Sequence, residues 1–193
     1  MDWVGVRVRT EESPQIMNCC VTGTHALYWV WHNIVTQDEK GVWVNLALNR
    51  DTKWVRVSSY QPYEGRVDLL LHQPATVHIR VPVWADKQLV AVRVDGAQSA
   101  FEWLGSYVKI ANLKAGQRVR LQYPLRELTN KKRIGGRQYL VNWKGDTVLE
   151  LRPVEETWAA PPIYALYQRQ RYRKDEAEMK RVSYTVPEKE IDW

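Results

Sequence analysis

The sequence is poor in cysteine: two among 193 residues, Cys19 and Cys20, side by side. Adjacent cysteines cannot build a disulfide framework. No apolar run approaches the ~20 residues of a membrane-spanning helix, so no membrane partner is expected. The start, Met1-Asp2-Trp3-Val4-Gly5-Val6-Arg7, lacks the basic segment and apolar core of a secretory signal. Together these absences read as a cytoplasmic chain, or as one whose natural N-terminus lies further upstream. There is no glycine-rich phosphate loop, and Gly135-Gly136 stands alone as a turn. No serine sits in a nucleophile-elbow pattern, and there is no internal repeat or low-complexity tract. The net charge of +6 comes from 28 basic and 22 acidic residues, scattered except at Lys131-Lys132-Arg133 and from Arg169 to Lys174. A nucleic-acid binder more often gathers its charge into one dense patch with aromatics interleaved, so no nucleic-acid partner is expected.

What is present is a hydrophobic content of 45%, enough for a core in one large domain or two small ones. Ten Trp and ten Tyr, against a single Phe, carry the aromatic content. Indole and phenol rings combine a flat apolar face with a polar edge, which suits sheet surfaces and also sugar-binding clefts.

Val4, Val6 and Val8 alternate as in a short strand. Leu27, Val30, Trp31 and Ile34 then recur at three- and four-residue spacing, which predicts an amphipathic helix from Thr24 to Val35. Thr22 or Thr24 is placed to cap it, and Tyr28, His32 and Asn33 occupy its other face. A lone helix of about three turns needs other helices or a sheet to cover it. Beyond Gln37-Asp38-Glu39-Lys40-Gly41 the period switches to two. Strands are predicted over Val42–Leu48, Trp54–Tyr60, Arg66–Leu71, Thr76–Val83, Leu89–Val94, Tyr107–Ala111 and Arg118–Tyr123. Turn chemistry such as Asp95-Gly96 separates them. Many short strands without crossover helices predict an antiparallel β-sandwich. Arg137–Trp143 and Thr147–Leu151 form a further hairpin across Lys144-Gly145-Asp146. Glu155–Pro162 reads as a linker, and a charged, aromatic tail runs on from Ile163.

Cys19 and Cys20 carry the most distinctive chemistry. Neighbouring thiolates ligate one metal if the backbone turns sharply between them, and a metal-bound thiolate is held deprotonated. The alternative is a pair of buried apolar cysteines. Zinc prefers four ligands, and the nearest other donors are His25, Glu11 and Glu12. His25 and His32 are seven apart, two helical turns, too far to share a metal directly. They read as surface or hydrogen-bonded helix residues, His72 and His78 as structural strand residues, and Glu11 and Glu12 as solvated carboxylates.

Cys19-Cys20 ahead of a Gly23-Thr24 turn and the Ala26-Leu27-Tyr28 aromatic helix resembles the end of the catalytic domain in glycoside hydrolase family 127, the β-L-arabinofuranosidase group. Later segments resemble the same family in the same order. They are Val42-Trp43-Val44-Asn45-Leu46, His78-Ile79-Arg80-Val81-Pro82-Val83-Trp84-Ala85, Val92-Arg93-Val94-Asp95-Gly96, Gly105-Ser106-Tyr107-Val108 and Leu113-Lys114-Ala115-Gly116-Gln117. The likeness spans about residues 16 to 152. It implies an (α/α)6 barrel followed by β-sandwich domains. It also implies zinc bound by a Glu and a Cys from upstream and by the cysteine pair, a nucleophilic first cysteine and a separate acid/base Glu. Carried over, Cys19 is nucleophile and zinc ligand, and Cys20 is a zinc ligand. No Cys precedes Cys19, and the resemblance implies that the barrel lies before residue 1.

The fold expected is therefore mainly β: an antiparallel β-sandwich preceded by one short helix left over from the barrel, with a charged C-terminal tail. The domains are 1–36 (barrel end), 37–125 (sandwich) and 126–193 (second β segment and tail). The function expected is a fragment of a zinc-dependent retaining glycosidase, inactive alone, with carbohydrate and a barrel-containing chain or a second copy as partners. The alternative is a non-catalytic carbohydrate-binding or interaction β-sandwich.

Overall fold

The computed structural model describes residues 15–134, 137–154 and 173, with backbone only at 15–22 and 137. Helix α1 runs over Gln15–His32. The sandwich strands are β1 (Val35–Asp38), β2 (Gly41–Val44), β3 (Arg50–Asp51), β4 (Val55–Ser59), β5 (Arg66–Leu71), β6 (Ala75–Arg80), β7 (Ala91–Val94), β8 (Ala97–Gln98), β9 (Glu102–Leu104), β10 (Tyr107–Leu113) and β11 (Arg118–Gln122). Three more follow: β12 (Glu127–Ile134), β13 (Arg137–Lys144) and β14 (Thr147–Pro153).

Two compact units divide the chain, one made of residues up to Ser59 with Arg66–Pro124, the other of Tyr60–Gly65 and the residues from Leu125. The first holds two sheets, ordered β1-β2-β6-β10-β9 and β3-β4-β5-β11-β7-β8. Alternation with period two gives each sheet one apolar face. Val42, Val44, Val77, Ile79, Val108 and Ile110 are buried in the first, and Val55, Val57, Val67, Leu69, Leu71, Val92, Val119 and Leu121 in the second. These faces close on each other as a mainly β sandwich. Its sheets are antiparallel except at one place: β2 lies parallel to β6, with Val42 opposite Val77 and Val44 opposite Ile79. The three strands between them in sequence, β3 to β5, belong to the other sheet, so the chain crosses over and returns without a crossover helix.

Local chemistry sets the turns. Asp95 and Gly96 take φ of 50° and 87° between paired Val94 and Ala97, the two positive values that a type I′ hairpin needs. Gly41 takes φ 134°, and a Cβ there would lie 2.2 Å from the Thr76 carbonyl oxygen on β6. Only glycine lets β2 approach β6 at that point. In β10 the register slips between Ile110 and Leu113, where Asn112 turns left-handed at φ 58°, and Leu113 is buried again beyond the slip.

The second unit is a three-stranded antiparallel meander, β12-β13-β14. Lys144 pairs with Thr147 across the expected Gly145-Asp146 turn. Tyr139, Val141 and Leu149 are its buried apolar residues, and Lys144 is buried with them. The readings of residues 1–14, of Gly135-Gly136, of the 155–162 linker and of the tail lie outside the described residues, Arg173 apart.

The helix differs most from expectation. It begins at Gln15, so Cys19, Cys20 and the expected Gly23-Thr24 turn are all helical. It stops at His32, and Val35 opens a strand instead. Val21, Thr22, Gly23 and Thr24 are poor helix formers, but extending an existing helix costs far less than starting one.

Candidate functional site

The predicted site residues sit in the first half of α1. Cys19 and Cys20 are adjacent helical positions, about 100° apart around the axis. No sharp backbone turn separates them, so the geometry expected for two neighbouring ligands is replaced by regular helix. His25 lies five residues beyond Cys20, about 7.5 Å further along the axis at 1.5 Å per residue. Glu11 and Glu12 are outside the described residues. Among the described residues no three His, Cys, Asp or Glu side chains gather as a metal site. The pair supplies the right donor type for zinc.

What α1 offers instead is exposed apolar surface. Leu27 is 69% exposed, and Tyr28, Trp29, Val30 and Trp31 lie between 45% and 57%. Five consecutive residues cover the full circumference of a helix, and a helix apolar all round belongs inside something. No helix among the described residues is long and apolar enough to cross a membrane. The aromatic rings lean on one another: Tyr28 meets Trp29 edge-on at 6.0 Å, and His32 lies 5.8 Å from Tyr28.

The helix is fastened at its C-terminus by a residue that the sequence reading passed over. Arg50, on β3, donates from Nη1 to the carbonyl oxygens of Trp31 and His32. Its guanidinium also lies 4.1 Å from the centre of the Trp31 ring. A cation there meets the unsatisfied carbonyls and the negative end of the helix dipole. Ile34 and Val35, just beyond, are buried in the sandwich. One end of α1 is thus fixed to the sheets while residues 23–32 stand exposed.

A second cluster lies on the outer face of the first sheet. The register sets Thr36, Trp43, His78, Lys109 and Glu102 in one row. The Trp43 ring stacks on His78 at 3.9 Å and 11°, and Tyr107 meets Trp43 edge-on at 5.1 Å. Trp43 Nε1 donates to Asp38 Oδ1 at 2.8 Å, and Tyr107 donates its hydroxyl to Asn45 Oδ1 at 2.9 Å. The Trp43 hydrogen bond is the main cause holding the Asp38 carboxyl below its ordinary range.

His78 is structural, as expected. It is 2% exposed and its Nδ1 has no hydrogen-bond partner. Burial, partly opposed by the nearby Asp38 charge, pushes its pKa below the ordinary 6.5. A proton on Nδ1 would leave a buried donor unpaired. Below pH 6.5 the unfolded chain takes up that proton more readily than the native protein, so stability falls with pH until the lower native value is passed. The stability lost between about pH 7 and pH 5 is expected to shrink in His78→Phe, which keeps a ring under Trp43 without the titration. Urea midpoints at the two pH values measure it, and an unchanged pH slope would remove His78 from the account.

His72, also read as structural, bonds Asp51 Oδ1 through Nε2 at 2.8 Å.

No protein-family model matches the chain, and no curated protein matches it in sequence. Solved structures do match in fold. A GH127 β-L-arabinofuranosidase from Geobacillus stearothermophilus T6 superposes with a TM-score of 0.53 at 19% identity, over 67% of this chain and 23% of that one. A second structure, described as a glycoside hydrolase, gives a TM-score of 0.54 at 19% identity, over 75% of this chain and 28% of that one. The chain therefore spans about a quarter of the length of the structures it matches. Its fold is that of part of a family GH127 glycoside hydrolase.

Proposed function

We propose that this chain is the C-terminal, β-sandwich portion of a zinc-dependent retaining glycoside hydrolase of the β-L-arabinofuranosidase kind, inactive until a helical body surrounds α1. The observation that carries this reading is α1 itself. It bears the cysteine pair, is apolar all round over Leu27–Trp31, and leads directly into a sandwich of GH127 fold. In this reading Cys19 attacks the anomeric carbon and the sugar leaves its aglycone as a thioether of the enzyme. Water then releases the sugar with retained configuration. Cys19 and Cys20 are two zinc ligands. When bound, the metal supplies a thiolate kept deprotonated at neutral pH. The remaining ligands and the proton donor come from the helical body, and the sugar partner is an arabinofuranoside.

The test compares the 193-residue chain with a product of the same gene extended upstream. Zinc content and aryl β-L-arabinofuranoside hydrolysis are measured on both. The short chain is expected to hold no stoichiometric zinc and to turn nothing over. The extended product is expected to do both, and to lose turnover by many decades in Cys19→Ser. Turnover that survives Cys19→Ser, or stoichiometric zinc on the short chain, would overturn the reading.

The half-buried Trp43–Tyr107 cluster favours one other reading, a non-catalytic carbohydrate-binding sandwich. Sugar binding by the short chain that is indifferent to Cys19→Ser but lost in Trp43→Ala would select it.

A further inference from the structure

The outer face of the second sheet is unlike any other surface described. Alternation places Arg56, Ser58, Arg66, Asp68, Leu70, Arg93, Arg118, Arg120 and Gln122 opposite the buried side. All five of its cations are arginine. Two carboxylates answer them. Asp68 receives Arg120 Nε and Nη2 at 2.9 and 3.0 Å and Arg66 Nη2 at 2.9 Å. Asp51, on the edge strand β3, receives Arg56 at 2.7 Å. Burial alone would raise the Asp68 carboxyl, but the two guanidiniums outweigh it and hold it below its ordinary value.

Arg93 and Arg118 are exposed and form no ion pair among the described residues. The Asp95 carboxylate accepts the Arg118 backbone N–H and the Gln117 side-chain amide, and the Arg118 charge is among the causes that hold it below its ordinary range. Register sets Arg93 directly opposite Arg120, and like charges opposed across strands destabilise a sheet.

We propose that this face binds an anionic polysaccharide carrying a carboxylate on successive sugars. The proposal rests on the carbohydrate reading above and extends it to a polymer. Guanidinium, unlike ammonium, matches a planar carboxylate with two parallel hydrogen bonds. Arg120 and Arg93 stand opposite each other on β11 and β7, about 5 Å apart, and Arg118 lies two residues from Arg120 along β11, so a chain crossing there meets three guanidiniums close together. Ser58, Gln98 and Gln122 offer neutral partners for hydroxyls on the same face. No aromatic ring occupies these positions, so unstacked bases find no platform.

The test is affinity electrophoresis of the full chain through gels containing polygalacturonate, its fully methyl-esterified form, dextran sulfate or duplex DNA. Retardation by polygalacturonate alone is expected, weakening with salt as screened charges do. Arg93→Gln with Arg118→Gln should weaken it about tenfold, the scale of two exposed ion pairs. Lys40→Gln with Arg80→Gln, which removes the same charge from the first sheet, should leave it unchanged. If the first double variant fails to fold by circular dichroism, Arg93→Gln alone must weaken binding about threefold. No retardation, equal retardation of both double variants, or tighter binding to esterified polymer, dextran sulfate or DNA overturns the proposal. Binding that persists in Cys19→Ser, Cys20→Ser separates this face from the catalytic reading. Arabinofuranosidase activity without polygalacturonate binding would sink this proposal and leave that reading intact.

Discussion

Replacing Gly41 with alanine is expected to cost the sandwich about 3 kcal/mol, as strain and overpacking add. The new Cβ would lie 2.2 Å from the Thr76 backbone oxygen, in a conformation of φ 134°. That oxygen belongs to β6, a strand held on both sides by β2 and β10, so it cannot move aside without loosening either pairing. Gly96→Ala supplies the comparison. Gly96 also has positive φ, at 87°, but nothing lies within 4 Å of a Cβ there. It should cost only the conformational part, about 1 kcal/mol. Urea unfolding of both variants reads the difference. Equal costs would mean that the close approach of β2 to β6 does not matter.

The other large effect is expected at Leu121. This residue is 0% exposed on β11, in the interior of the second sheet, opposite Val67 on β5 and Val92 on β7. Truncation to alanine leaves a cavity where three strands meet, with a loss of about 2–5 kcal/mol. Gln122→Ala, one residue on and facing outward, should stay within about 0.5 kcal/mol. A shift in the urea midpoint with an unchanged slope would assign the loss to the folded state. Comparable effects at 121 and 122 would overturn the assignment of inner and outer faces.

The readable parts of the fold were those in which one face is buried. Arg66–Leu71 alternates strictly and is a strand over those same residues; Arg118–Gln122 falls within one residue of its expected bounds. β12 could not be read this way, because Glu127–Ile134 is exposed along almost its whole length. It exists because β13 pairs with every one of its residues. β1 was hidden for a different reason. Trp31, Ile34 and Val35 continue the helical stripe of α1, yet Ile34 and Val35 are buried among strands. Tertiary burial decided what periodicity left ambiguous. The parallel join of β2 to β6 was out of reach, since alternation tells which way side chains point and not which strand lies alongside.

The cysteine pair was visible as chemistry but not as geometry. Cys19 and Cys20 stand in regular helix rather than a turn. Arg50 gave no signal because its partners are backbone carbonyls eighteen and nineteen residues earlier. The arginine face appeared as scattered charge because its members come from β4, β5, β7 and β11. Only the register brings Arg93 opposite Arg120.

The crossing from β2 through the second sheet and back to β6 also orders events as the chain folds. The β1–β2 hairpin closes locally, but Val42 can meet Val77 only once β6, which follows β3 to β5 in the chain, has been made. Non-local pairing of this kind is slow, since a long loop closes before its contacts reward it. Until then β2 presents an open edge of unpaired N–H and C=O groups. A ribosome-bound chain emerging no further than β5 carries that edge uncovered, and translation past β6 is the step that hides it.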